Sequence, residues 1–221
     1  MYYGDYVSET DKQLDELIKD YFPDNFKGTF FDIGAYDPIQ ISNSYYFEKN
    51  GWDTYLFEAN PNLIENLKSK RKNVFNYAIA EDDKDLVKFN IYNQKWNDSW
   101  NKVASFSSIN LDYLKLEHFK EHNNVAHEII TIEVQQRSLN SILLNELKDI
   151  KNIDVLEIDI EGGEFNCLKG LDLNKYSPKL IVIENIYDPE NNIENYLKMF
   201  NYKLDKKYSH NEFYINLNYY K

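Results

Sequence analysis

The chain has 221 residues, of which 43% are hydrophobic and 28% charged, and these fractions exclude a disordered protein and favour one folded domain. Its formal net charge of −12 and its lack of a basic run make nucleic acid a poor partner. No apolar stretch reaches the roughly 18 residues of a membrane span, and the first residues lack a secretion signal. The lone Cys167 forms no internal disulfide, so we expect a cytoplasmic protein.

In the first third of the chain, helical and strand-like patterns alternate. Thr10 and Gln13 resemble a capping box, Gly51 suits a helix C-terminus, and Asn60 with Pro61 suits a helix N-terminus. In chain order we predict helix 8–22, strand 29–35, helix 41–50, strand 54–58, helix 60–71 and strand 73–80. Strands that alternate with helices are typical of parallel βαβ units.

The middle of the chain interrupts this alternation. Strand-like residues 86–92 and 128–135 flank a long polar and aromatic segment, so we predict an insertion over 86–137 that serves as a substrate lid. The alternation then resumes with helix 139–147, strand 153–160, helix 164–169, strand 180–184, helix 193–200 and a closing antiparallel pair, 202–204 with 213–217. The whole chain, 1–221, is predicted to form a single domain that begins with a helical segment over 1–28.

Carboxylates follow or end four of the predicted strands. Asp32 precedes Gly34 at the first strand, Glu58 ends the second, Asp159 ends a later one, and Glu184 ends the next. Since the carboxyl ends of parallel strands meet at one edge of a sheet, where ligands bind, these side chains are expected to share one crevice. Glu58 stands where an acid that binds ribose is expected.

The glycine turn argues against a dinucleotide ligand. A pyrophosphate site needs the pattern G-x-G-x-x-G, whereas Tyr36 and Pro38 occupy the later glycine positions here. S-adenosylmethionine carries no phosphate and bears a cationic sulfonium and amine, so it suits acidic surroundings better. The alternatives to an enzyme that uses S-adenosylmethionine are a nicotinamide-dependent oxidoreductase and a non-catalytic binding module with the same fold.

Several residues are candidates for proton removal or metal binding. Asp159 and Glu161 are the first candidates for a general base, and His127 in the insertion is the second. Alternatively, Asp159, Glu184 and Asn185 offer oxygen ligands for Mg²⁺. His118 and His122 have the spacing of a helical metal pair but lack an evident third ligand.

In combination, these motifs resemble the FkbM-family methyltransferases in order and spacing. The resemblance runs from about residue 29 to residue 185, and a strand around 213–215 also fits. Its segments are 31–37 (Phe-Asp-Ile-Gly-Ala-Tyr-Asp), 42–44, 47–48, 51–52, 57–61, 138–139, 154–164 and 178–185. The family usually has glycine where this chain has Pro38, a residue that can also set a turn.

The resemblance implies a Rossmann-like class I methyltransferase fold: a mostly parallel seven-stranded sheet, a terminal antiparallel pair and an inserted strand–loop–strand segment. It implies O-methylation by S-adenosylmethionine of a hydroxyl on a sugar, nucleotide-sugar, polysaccharide or natural-product intermediate. Asp159 and Glu161 would face the methionine end of the donor and the acceptor. The predicted donor-binding residues are Asp32, Gly34, Ala35, Tyr36, Asp37, Ser42, Glu58, Ala59, Asn60, Ala78 and Asp159.

Overall fold

The structure is a computed structural model that describes residues 1–7, 10, 12–96, 99–101, 107–110, 127–186 and 188–220. Residues 93–96, 99–101 and 127 are described by their backbone alone. The strands are β1 (Tyr6–Val7), β2 (Lys12–Gln13), β3 (Thr29–Ile33), β4 (Asp53–Phe57), β5 (Asn73–Phe75), β6 (Ala78–Ile79), β7 (Lys84–Trp96), β8 (Ser99–Asn101), β9 (His127–Arg137), β10 (Val155–Ile158), β11 (Leu180–Glu184), β12 (Tyr202–Tyr208) and β13 (Asn211–Asn216). The helices are α1 (Leu14–Lys19), α2 (Tyr45–Lys49), α3 (Pro61–Lys70), α4 (Leu139–Asn145), α5 (Glu164–Lys169) and α6 (Asn192–Lys198).

The large sheet has the strand order β12-β13-β11-β10-β3-β4-β5. Strands β5, β4, β3, β10 and β11 pair in parallel, whereas β13 pairs antiparallel with both β11 and β12. Its central strands are apolar on both faces, because separate clusters of buried side chains pack against each side of the sheet. The prediction of an α/β protein with a mostly parallel sheet is therefore confirmed.

Register within the sheet places the predicted strand ends side by side. Ile33 pairs with both Phe57 and Ile158, so β3, β4 and β10 stop at the same level. Ile158 in turn pairs with Ile183 of β11. The residues that follow these strands therefore leave the sheet along one edge.

The N-terminal helix is shorter than predicted. It begins at Leu14, and Gln13 belongs instead to β2, which pairs with β1. The capping box does not form, because the Gln13 amide donates to the carbonyl of Gly4 and the Thr10 hydroxyl donates to the carbonyl of Val7. Local side-chain hydrogen bonds to the backbone compete with helix formation here.

Other predicted elements also differ in extent. Helix 41–50 is reduced to α2, because Ile41 has a left-handed backbone (φ 52°) and Ser44 serves as the N-cap. The predicted strand 73–80 divides in two. Its second part, β6, leaves the large sheet and pairs with β9 in a smaller sheet of order β6-β9-β7-β8.

The smaller sheet packs beside the strand ends of the large one. The side chains of Ala78, Phe89, Ile91 and Val134 form its buried cluster. Ser108 connects this sheet to the loop after β10, because its backbone pairs with Asn90 and its hydroxyl donates to the Glu161 carbonyl. None of the helices in the described ranges has the length and apolar character needed to cross a membrane.

Candidate active site

A glycine turn brings the ends of three strands into contact. Gly34 has φ 102°, a conformation that side-chain-bearing residues rarely adopt, and a Cβ there would lie 1.8 Å from the carbonyl oxygen of Asp159. Its N–H and that of Ala35 donate to the carbonyl of Phe57, at 2.9 and 3.2 Å. The loops after β3 and β10 therefore touch at this residue.

A first cavity of about 610 Å³ opens beside this turn. Apolar side chains of both sheets and of α3 form much of its wall, including Phe57, Phe89 and Leu63. Ser107 and Ile109 of the insertion also line it. The predicted site residues in its wall are Gly34, Tyr36, Glu58, Ala59, Asn60, Ala78, Asp159 and Glu161.

Glu58 presents a buried carboxylate to the first cavity. It is 7% exposed and accepts hydrogen bonds from the backbone N–H groups of Asn60 (2.6 Å) and Tyr36 (3.1 Å). Burial raises the pKa of Glu58 to about 7, although the backbone donors oppose the shift. Asn60 caps α3 by accepting from the N–H of Asn62, which leaves its buried Nδ2 without a partner among the described residues.

A second cavity of about 460 Å³ adjoins the first and is lined by carboxylates. Gly34, Tyr36, Asp159 and Glu161 belong to both walls, so the two cavities meet there. No lysine, arginine or histidine occurs among the described residues of either wall. The acids of the second cavity are Asp5, Asp32, Glu157, Asp159 and Glu161, and Ala35, Ser42 and Asn43 also line it.

Asp32 and Glu157 form a buried acid pair at the floor of the second cavity. They are neighbours in the register of β3 and β10, and Asp32 is 3% exposed. Burial raises the pKa of both groups, and that of Glu157 is well above its ordinary value. The two carboxyl groups share a hydrogen bond, and Asp32 also accepts from the Ser44 hydroxyl.

Arg71 at the C-terminal end of α3 holds the loop after β3. Its Nε pairs with Glu48 at 2.7 Å, and its Nη1 donates to the carbonyl of Pro38 (2.9 Å) and to Ser42 (3.0 Å). Nη2 donates to Ser44 at 2.8 Å. The charge of Arg71 also lowers the pKa of Asp32 and so opposes the rise that burial causes. Through these bonds and this charge, Arg71 supports the residues that line the second cavity.

A second acidic cluster forms where the two cavities meet. Carboxylate oxygens of Asp159, Glu161 and Glu184 all lie within 4.8 Å of one another. Burial first, and repulsion by neighbouring acids second, raise the pKa of Asp159 to about 6, of Glu161 to about 9 and of Glu184 to about 12. The Oε2 atoms of Glu161 and Glu184 are buried without a partner in the described part of the chain. Such a set of oxygens fits a small cation.

Two predicted site residues, Asp37 and Asn185, line neither cavity. Asp37 accepts from the N–H groups of Ile39 and Gln40, both at 2.8 Å. The Asn185 amide donates to Glu212 at 3.0 Å. The side chain of His127, with all of His118 and His122, lies outside the described residues.

Three residues were not predicted from the sequence: Asp5 and Glu157, which line the second cavity, and Arg71, which supports it. Glu157 could have been found, since an acid inside an otherwise apolar buried strand requires a polar partner. Nothing local to Asp5 or Arg71 marks either of them. Glu164, in contrast, supports the loop after β10 by accepting from the N–H groups of Ile160 and Gly162.

The raised carboxyl pKa values predict that the ligand-free protein loses stability between pH 5 and pH 8. Burial raises the pKa of Asp5 and Asp15 to about 6 and of Glu58 to about 7, so the folded state binds protons more tightly than the unfolded state. The resulting stability is complete below the unfolded pKa values and is lost as the pH rises through 6 and 7; for Glu58 it amounts to about 3 kcal/mol.

Thermal unfolding of the ligand-free protein over this pH range tests the prediction. Three carboxyl groups have a lowered pKa, so their stabilising effect is already complete below this pH range: those of Asp24, Asp83 and Glu212. They therefore do not mask the expected loss of stability. The melting temperature is expected to fall steadily with rising pH. A flat or rising profile would contradict the assigned burial of these acids.

Comparison with known families gives one match. A family model described as a methyltransferase FkbM domain matches residues 32–209, which is most of the chain. The curated proteins and the solved structures gave no significant match. The matched region begins at Asp32 and includes every acid of the two cavities except Asp5.

Proposed function

The chain belongs to the FkbM methyltransferase family, and we propose that it methylates a hydroxyl group of a carbohydrate with S-adenosylmethionine as the donor. The proposed acceptors are a sugar, a nucleotide-sugar, or a polysaccharide or natural-product intermediate, in the cytoplasm. One observation carries the choice of donor: a largely apolar cavity continues into a cavity lined by carboxylates, with no basic residue among the described residues of either wall.

The two parts of the donor, adenosine and methionine, match the two cavities. In the proposed pose the adenosine lies in the first cavity, where Glu58 accepts hydrogen bonds from the ribose hydroxyls. The sulfonium lies near Asp159 and Glu161, and the methionine part extends into the second cavity. Buried carboxylates stabilise its positive charges, because a nearby opposite charge offsets their desolvation.

The two alternative functions fit less well. A nicotinamide dinucleotide would bring a pyrophosphate to the same glycine turn, where Asp32, Asp159 and Glu161 would repel it. A non-catalytic binding module has no need for a carboxylate like that of Glu161, which lies at the junction of the cavities with one oxygen unpartnered among the described residues.

For the reaction, the acceptor oxygen attacks the methyl carbon while the carbon–sulfur bond breaks, and S-adenosylhomocysteine leaves. Holding oxygen, carbon and sulfur in line accounts for much of the acceleration. The hydroxyl proton passes to a carboxylate, and we assign this role to Glu161, with Asp159 beside it. The positive charge of the donor opposes the rise in the Glu161 pKa, so donor binding helps this group to lose its proton.

A divalent cation is the alternative means of lowering the hydroxyl pKa. Asp159, Glu161 and Glu184 would hold Mg²⁺ in a site where two oxygens have no partner in the described part of the chain. The amide nitrogen of Asn185 donates to Glu212, so the amide oxygen is the atom it could offer to such a site. A bound ion would supply Lewis-acid chemistry at the acceptor oxygen.

Replacing Glu58 by glutamine tests the donor assignment. We expect the affinity for S-adenosylmethionine to fall about tenfold to a hundredfold, since a charged acceptor of the ribose hydroxyls is lost. Calorimetric titration measures the change, and Glu65→Gln, on the exposed face of α3, is the matched control. Equal donor affinity in the Glu58 variant and the control would contradict the proposed pose.

The acceptor class requires a separate assay. The unaltered protein is incubated with methyl-labelled S-adenosylmethionine and a panel of nucleotide-sugars, free sugars and oligosaccharides, and the products are identified by mass spectrometry and NMR. An O-methylated carbohydrate is the expected product. Two results would contradict this part of the proposal. One is methylation of a nitrogen atom, and the other is methylation of another class of acceptor when no carbohydrate is methylated.

A further inference from the structure

The N-terminal strap, residues 1–7, supplies an acid to the second cavity from outside the region that the family model matches. The family match begins at residue 32, whereas Asp5 lines the same cavity as Asp32 and Asp159. The strap crosses from its pairing with β2 to the loop that precedes α2. Asp5 is thus an acid of this cavity that lies outside the matched region.

Hydrogen bonds on both sides of Asp5 fix its position. Its N–H donates to the Asn43 side chain at 3.1 Å, and its carbonyl accepts from the N–H of Leu14 at 2.7 Å. The N–H of Tyr3 donates to the buried carboxyl of Asp15 at 2.6 Å. Because the backbone is held at all three points, the Asp5 side chain is directed into the cavity by the fold.

Close packing at the preceding residue reinforces this arrangement. A Cβ on Gly4 would lie 2.6 Å from the Asn43 side-chain oxygen and 2.8 Å from the backbone nitrogen of Asp15. Outside the cavity, the rings of Tyr2 and Tyr46 lie 4.6 Å apart. The strap therefore rests directly on α1 and on the loop before α2, which leaves little space for another path.

Charge then indicates what Asp5 would contact. Asp159 and Glu161 line both cavities and so lie beside the sulfonium in the proposed pose, whereas Asp5 lines the second cavity alone. Burial and the charge of Asp159 raise the pKa of Asp5 to about 6, a cost that a bound cation would offset. The amino-acid end of the donor offers one such cation, its α-ammonium group.

We propose that Asp5 binds the α-ammonium group of S-adenosylmethionine, so that the N-terminal strap closes the methionine end of the donor site. The contact is a charge-assisted hydrogen bond across a cavity that has no basic residue among its described lining. This inference rests on the proposed function. Unlike the contacts of Glu58, it concerns only the amino-acid part of the donor.

The affinities for three ligands that contain adenosine distinguish the loss of this contact from a general loosening of the site. S-adenosylmethionine and S-adenosylhomocysteine both carry the α-ammonium group, whereas 5′-methylthioadenosine lacks the amino-acid part and occupies only the first cavity. In calorimetric titrations, Asp5→Asn is expected to weaken the first two ligands about tenfold or more. Affinity for 5′-methylthioadenosine should not change. Asp149→Asn, an equal change of charge at an exposed site, is the control and should bind all three as the unaltered protein does.

Each other result has a definite meaning. If the unaltered protein binds S-adenosylmethionine and Asp5→Asn binds it equally well, the inference is wrong while the proposed function stands. Equal weakening of all three ligands, with a lowered melting temperature, would make Asp5 a structural residue and also overturn it. If the unaltered protein binds none of the three, the proposed function itself fails, and this inference fails with it.

Discussion

Gly34→Ala is expected to abolish donor binding at concentrations that saturate the unaltered protein. The new Cβ would lie 1.8 Å from the Asp159 carbonyl oxygen, a backbone atom that can move only if the loop after β10 moves with it. A displacement on the scale of 1 Å would take Glu58, Asp159 and Glu161 out of their common geometry and cost about a hundredfold or more in affinity. The clash should also lower the free energy of unfolding by several kcal/mol, on the order of other overpacked cores.

Gly51→Ala is the matched control for this substitution. Gly51 also has a positive φ, 86°, but a Cβ there would lie 3.7 Å from the Lys27 side chain, an ordinary van der Waals contact. It therefore shares the backbone strain of an alanine at positive φ, about 1–2 kcal/mol, without the collision. Denaturant unfolding and calorimetric titration of both variants separate the two effects. Similar losses of affinity in both would show that the contact between the loops is not what shapes the donor site.

Glu161→Gln is expected to reduce kcat by about a hundredfold to ten-thousandfold, the usual contribution of a positioned general base. Its side chain lies at the junction of the two cavities with one buried oxygen unpartnered among the described residues. Once the cationic donor has lowered its raised pKa, the carboxylate can accept a proton from a bound hydroxyl. Asp159→Asn should also reduce turnover, since its charge helps to determine the basicity of Glu161. Single-turnover assays at saturating donor separate this effect from weaker binding.

The same assays distinguish the other candidates for proton removal. Unchanged turnover in both Glu161→Gln and Asp159→Asn would refute their assigned roles. A loss confined to His127→Ala would transfer the role to the insertion. If EDTA removes activity and Mg²⁺ restores it, the cluster of Asp159, Glu161 and Glu184 acts through a bound ion rather than as a direct base.

Several features of the site follow from short stretches of sequence. The sequence predicts a strand that runs into the turn at Gly34, the carboxylate of Glu58 and the Asn60 cap of α3. The structure has all three, although the strand ends at Ile33 rather than at residue 35. Each depends on neighbours in the chain: an apolar run, a glycine that relieves a steric conflict, or a side chain that reaches its own helix. The prediction of helix 8–22 is wrong in extent because β1 offers β2 a partner, which no local pattern reveals.

Local sequence patterns also fail to reveal the partners of two predicted site residues, Asn185 and Asp37. Both follow strands at the correct edge of the sheet, yet the Asn185 amide nitrogen bonds to Glu212 of β13, and Asp37 caps its own turn. Position after a strand determines the edge of the sheet on which a residue lies. Its partners are determined by whichever element packs next to it.

The sequence by itself determined the α/β alternation, the acids at the strand ends and the family, because these depend on periodicity and on motifs that are contiguous in the chain. Only the tertiary structure decided that Asp5 joins Asp32, Glu157 and Asp159 around one cavity and that Arg71 supports it. These residues are far apart in the chain. They meet because the register of the parallel strands and the packing of the N-terminal strap bring them together, and neither is encoded in any local pattern.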